Sequence, residues 1–156
     1  MEHLQEKVKT VVFPVFSEYR VVLVVSSDID ASFKKRHGIL GTNYNLAGCE
    51  AAHQAIPGKM KAFLFFRPGA TNGTVAHECW HTIHKMFGAV GACLDNEAVA
   101  YHLGYLVDKT TDLITGYLVG ASRQTRSSTE LSTTGIGSAG RRFRSGWTDT
   151  RRSLRL

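Results

Sequence analysis

Apolar and polar positions fall into a few separable blocks along the chain, and each block predicts an element. The run YRVVLVV at 19–25 is β-branched, unbroken and bounded by polar residues, so it predicts a buried strand. MKAFLFFRPG at 60–69 predicts a second strand, ended by Pro68, and AGCEAAHQA at 47–55 a weaker one. IPGK between them reads as a turn, so the two strands should form a hairpin. Upstream, SSDIDASFKKRHG offers cap residues, a short helix and Gly38 as its stop. The segment 4–16 is mixed. Its front half suits a short helix, while VVFPVF is more strand-like and carries Pro14, which belongs at an edge or a strand end.

The pattern then changes from period two to period 3.6. In TVAHECWHTIHKMFGAV, residues 74–90, Val75, Cys79, Ile83 and Phe87 recur at i+4 and give one apolar face. Thr71 or Asn72 can cap this helix, and Gly88 is a natural end. Asp95 can cap a second helix through NEAVAYHLGYLVD, with a break near Gly104 or Lys109, and TDLITGYLVG adds a further turn or two. The expected architecture is α+β: a small, mostly antiparallel sheet packed on the first helix and the helix after it.

Composition refines this picture at the C-terminus. Hydrophobic residues make up 43% and charged residues 21%, as in an ordinary folded domain, and 156 residues suffice for one core. Residues 121–156 are rich in Ser, Thr, Gly and Arg and show no persistent period, so they predict a disordered tail behind a body of 1–120. The whole net charge of +6 resides there, because the arginines from Arg123 to Arg155 face only Glu130 and Asp149. Such a tail could make weak nucleic-acid contacts through phosphate. No apolar run reaches the roughly 18 residues of a membrane span, and the polar N-terminus lacks the core of a secretory signal. A cytoplasmic protein without membrane contact is expected. Cys49, Cys79 and Cys93 form no ligand pair and are expected as reduced, mostly buried thiols.

The chemistry sits in the first long helix. His77 and His81 are one turn apart on the same face, so their imidazoles can converge on one ion. Glu78 is offset by about 100°, which lets its carboxylate reach a water at the metal without taking a ligand position. His84 lies about 10 Å along the axis from His77 and cannot share the ion at ligand distance. A third ligand must come from another element. Asp95, Glu97, His102 and Asp108 are the nearby candidates, with Glu97 the best placed and His102 next.

HECWH followed by DNEAVAYHLGYL resembles the gluzincin group of zinc metallopeptidases, in its minimal bacterial, phage and mobile-element forms such as the ImmA/IrrE and SprT-like types. The resemblance covers roughly 20–120 and is strongest over 74–105. It implies a zincin-like fold, Zn²⁺ as cofactor, His77, His81 and Glu97 as ligands, and Glu78 as catalytic base. Gluzincins of the thermolysin type carry an acidic residue four positions after the ligand glutamate. Here that position is Tyr101, so the support of the imidazoles departs from the pattern.

The expected activity is hydrolysis of a peptide bond in a protein or peptide substrate. Tyr101, His102 and Tyr105 are candidates for stabilising the oxyanion. In enzymes of this kind the strand before the metal helix pairs with extended substrate, which points to 61–67, although a plain core strand rich in Phe fits those residues equally well. The alternative is a zincin-fold binding or regulatory module without useful turnover, associated with nucleic acid through its tail. Oligomeric state is not encoded in any recognisable pattern.

Overall fold

A computed structural model describes residues 5–36, 38 and 44–133, with 124–133 in backbone alone. Four strands and three helices follow in the order β1 (Glu6–Val12), β2 (Arg20–Ser26), α1 (Ile29–Lys34), β3 (Ala51–Ala55), β4 (Lys61–Phe66), α2 (Asn72–Val90) and α3 (Asn96–Thr133). The strands form one mixed sheet in the order β1-β2-β4-β3. The two outer pairings, β1 with β2 and β3 with β4, are antiparallel, and the central β2–β4 pairing is parallel. The class is α+β.

The central strands are apolar on both faces because both faces are covered. Val21, Leu23, Val25, Leu64 and Phe66 point to α2 and α3, where they meet Val75, Cys79, Ile83, Met86 and Leu106. Val22, Val24, Phe63 and Phe65 point the other way, onto Ile29 and Phe33 of α1 and onto Leu46. One-residue alternation thus divides β2 and β4 between two apolar layers. The edge strands differ. β1 is mostly exposed, and its lysines Lys7 and Lys9 mark it as an edge.

The 3–4 hairpin forms as its turn residues predict. Gly58 takes φ 69°, the left-handed conformation that glycine adopts without steric cost, and Ile56 N–H closes on Lys61 O at 2.9 Å. Thr71 caps α2, its Oγ1 accepting from Thr74 N at 3.1 Å. The helix runs through Gly88 and ends instead at Gly91, with φ 69°. Asp95 caps α3 by accepting from both Glu97 N and Ala98 N at 3.0 Å.

Four sequence expectations are corrected. The front of 4–16 is a strand, not a helix, because Lys7, Lys9 and Val11 alternate with Val8, Thr10 and Val12 and register against β2. β4 is interior, hydrogen-bonded to β2 on one side and β3 on the other, so it has no free edge to offer an extended substrate. α3 does not break at Gly104 or Lys109. It also passes the expected boundary at Gly120 and continues to Thr133, a stretch free of proline whose Ser, Thr, Arg and Gln residues a helix tolerates. The rest of the expected tail, 134–156, lies outside the described residues. Of the three thiols only Cys79 is buried, Cys49 being half-buried and Cys93 exposed. Among the described residues no helix is long and apolar enough to cross a membrane.

Candidate metal site on α2

Helix α2 buries Val75, Cys79, Thr82, Ile83, Met86 and Phe87 against the sheet and α3. That arc fixes the rotation of the helix and sends His77 and His81 to the opposite, solvent-facing side. Their Nε2 atoms stand 3.0 Å apart, with ring centroids at 4.6 Å and planes nearly perpendicular. Two nitrogens of one tetrahedral zinc, each at about 2.0–2.1 Å, lie roughly 3.3 Å from one another, so the pair is close to that spacing. Glu78, half-buried, follows His77 on the flank toward β3. As the pair stands, the same approach is a hydrogen bond, one Nε2–H donating to the other ring's Nε2, and the two rings could turn their lone pairs to one ion in its place.

The two flanks of α2 carry different groups. On the α3 side, Trp80 and His84 approach to 6.1 Å between ring centroids and line a groove with Leu94, Asn96, Val99, Ala100 and Leu103. His84 is thus turned away from the His77–His81 pair. On the β3 side, Thr74 Oγ1 donates to Glu50 Oε2 at 2.9 Å, tying the start of α2 to the start of β3. Next along that flank stands His53, whose ring lies 6.1 Å from that of His81 with planes 21° apart. His53 Nε2 is shielded from solvent and has no hydrogen-bond partner. Burial, and then the neighbouring charges of His81 and Lys85, push the His53 imidazole down to about 4.

The structure does not bring Glu97, Tyr101 or His102 to the pair. α2 and α3 run antiparallel, with Cys79 beside Thr110 and Phe87 beside His102. Phe87 is six residues past His81, and Glu97 lies five residues before His102, so its backbone sits roughly 10 Å or more down-axis from His81. Its side also faces away. Val99, His102, Leu106, Thr110 and Leu113 form the buried stripe of α3, while Glu97, Tyr101 and Asp108 lie on the opposite, exposed one. Tyr101 is 61% exposed.

His102 is a core residue, 4% exposed and surrounded by the rings of Phe13, Phe16 and Phe87 at centroid distances of 5.0–5.6 Å. Its Nδ1 pairs with Ala98 O at 2.7 Å, and its Nε2 has no partner. Tyr105 donates its hydroxyl to Val12 O at 3.4 Å, a packing role between α3 and β1. Among the described residues no three His, Cys, Asp or Glu side chains are already gathered closely enough to hold a metal ion.

His53 is the residue that sequence reasoning passed over. The available signal was its position in AAHQA, where Ala51, His53 and Ala55 share one strand face and only the histidine is polar. The fold and site together define an α+β chain with an exposed histidine pair and a carboxylate on one helical turn. Compared with known proteins, the chain matches no family model, no curated protein and no solved structure.

Proposed function

We propose that the chain is a cytoplasmic zinc-dependent metallopeptidase, working from the His77–Glu78–His81 turn of α2. The observation that carries this is the 3.0 Å approach of the two Nε2 atoms on an exposed helical face, with Glu78 between them in sequence. His77 and His81 would hold zinc, and a bound zinc supplies water activation and polarisation of the scissile carbonyl. The Glu78 carboxylate accepts the proton that the attacking water loses, then returns it to the nitrogen of the leaving amine. Its half-buried place on the β3 flank gives it a fixed approach from one side of the histidine pair.

The same flank offers a place for substrate. β3 ends the sheet order, so its outer edge is free of a strand partner among the described strands. An extended peptide can add to that edge through backbone hydrogen bonds. It would then run beside α2, parallel to the row Thr74, Glu78 and His81. The role expected of 61–67 passes to 51–55, because β4 is paired on both sides.

The test is zinc content and cleavage of a disordered protein such as casein by wild type and Glu78→Gln. One zinc per chain in both proteins, with cleavage reduced about 10²–10⁴-fold in the variant, is expected for the loss of a general base. Equal cleavage by the two removes Glu78 from the mechanism. Full zinc in both with no cleavage of any disordered substrate favours instead a binding module that keeps the site without turnover.

A further inference from the structure

We propose that His53 of β3 is the third protein ligand of this site, so that the metal is held by three imidazoles, those of His53, His77 and His81. The inference rests on the metal site proposed above and alters its ligand set: the position expected of Glu97 on the following helix passes to the sheet edge.

Geometry gives the first support. Two imidazoles bound to one tetrahedral zinc have ring centroids about 5 Å apart, given N–Zn bonds of about 2.0–2.1 Å and a ring nitrogen about 1.2 Å from its centre. The His77–His81 separation of 4.6 Å falls just inside that value. The His53–His81 separation of 6.1 Å exceeds it by about 1 Å. On this proposal the His53 side chain turns to another rotamer to close that gap when zinc binds.

The state of the His53 nitrogen is the second. Nε2 is shielded from solvent and unpartnered, on the strand face that α2 covers. Buried polar atoms are otherwise almost always paired, and those left over mark strain, function, or a bound water or ion. A cation shared with His81 would supply the partner. The flanking residues on this face, Ala51 and Ala55, are small.

Glu50, the other acidic side chain on this flank, accepts from Thr74 Oγ1 through Oε2, which ties it to the first turn of α2. Glu97 lies on the exposed stripe of α3, away from the pair. The order of ligands along the chain would then be strand first and helix second, with nothing required from α3.

The experiment is X-ray absorption at the zinc edge of the zinc-loaded full chain, with zinc affinity measured by chelator competition. Wild type should show three imidazole nitrogens, and Glu97→Ala should match it in both spectrum and affinity. His53→Ala should show two imidazoles and bind zinc more than about 100-fold more weakly, a larger loss than the 10–100-fold typical of residues behind the ligands. His53→Gln, which keeps polar bulk, guards against a folding defect: its metal-free form should melt as a single transition, without the zinc-induced rise seen in wild type. If His53→Ala retains three imidazoles and wild-type affinity while His77→Ala loses zinc, His53 is not a ligand and the metal site stands. If Glu97→Ala alone weakens zinc, Glu97 is the ligand and His53 is excluded. If wild type takes up no zinc, or His77→Ala binds it equally well, the metal site and His53 fall together.

Discussion

Replacing His102 by phenylalanine should leave cleavage intact and make the protein as stable as wild type or more so. The imidazole is packed among Phe13, Phe16 and Phe87, and only its Nδ1 finds a partner, the carbonyl of Ala98. In the tautomer which that bond selects, Nε2 is a bare acceptor buried without a donor. Leaving such an atom unsatisfied costs about 1–3 kcal/mol, and removing it recovers that amount. Against this stands the loss of one hydrogen bond, worth about 0.5–1.5 kcal/mol net. Ala98 O is not orphaned by the change, since a helical carbonyl still receives its own i+4 backbone N–H. Phenylalanine is flat like the imidazole but larger, so it meets the three rings at ordinary aromatic distances only as they shift slightly. The two polar terms together give between about −0.5 and +2.5 kcal/mol, whose upper end is a rise of several degrees in Tm for a chain of this length and whose lower end the extra ring volume favours. Urea unfolding measures the first and calorimetry the second. Destabilisation by more than about 1 kcal/mol would show that Nε2 has a partner worth keeping. A tenfold or greater fall in cleavage at unchanged stability would instead return His102 to the chemistry, as an oxyanion-stabilising group.

Two further perturbations test the frame of the site. His53 is held near 4, against an ordinary value of 6.5, by burial first and by His81 and Lys85 after it. Between those values the unfolded chain binds more protons than the folded one, so this group's contribution is complete above about pH 6.5 and is lost as pH falls through about 4. The full loss is about 3 kcal/mol at 1.36 kcal/mol per pH unit. In chelator-treated protein, urea midpoints of wild type should fall over this window more steeply than those of His53→Gln, and equal slopes would contradict the assignment. Gly91→Ala should cost about 1–2 kcal/mol and lower Tm by a few degrees, because φ is 69° there while a Cβ would meet nothing within 4 Å. An unchanged Tm would mean that the α2 terminus relaxes to another cap.

What the sequence disclosed about the site was local, and what it concealed was tertiary. A period of 3.6 is enough to place His77 and His81 on one side of α2 and Glu78 on its flank, since helix geometry needs no information from elsewhere in the chain. The Ile83–Phe87 face and the Thr71 cap were legible for the same reason, as was the 3–4 hairpin from its Pro-Gly turn. The parallel pairing of β2 with β4 was not, because no short-range signal specifies which of four strands will be neighbours. That one pairing makes β4 interior and β3 an edge among the described strands. Helix α3 was underestimated because its Ser- and Thr-rich end carries little hydrophobic period, although nothing in it breaks a helix.

The position of Glu97 shows how far a helical motif and its nearest acidic residue can stand apart in the fold. Glu97 is sixteen positions after His81, but the link 91–95 is short and α3 folds straight back along α2. An antiparallel return of that kind pairs the start of α3 with the end of α2, as the His102–Phe87 contact records, whereas the histidine pair is in the first half of α2. A ligand at the level of His77 and His81 would have to come from farther along α3, near residues 104–112, on the stripe that faces α2. That stripe holds Leu106, Thr110 and Leu113, with the Thr110 hydroxyl 3.7 Å from the Cys79 sulfur. At the level of the site α3 therefore offers packing, and its carboxylates there, Asp108 and Asp112, lie on the exposed side. β3 is the other element packed against α2 on the histidine side, and its one polar residue on that face is the unpartnered His53. If a metal binds the histidine pair, the sheet edge rather than α3 is the element that lies beside it.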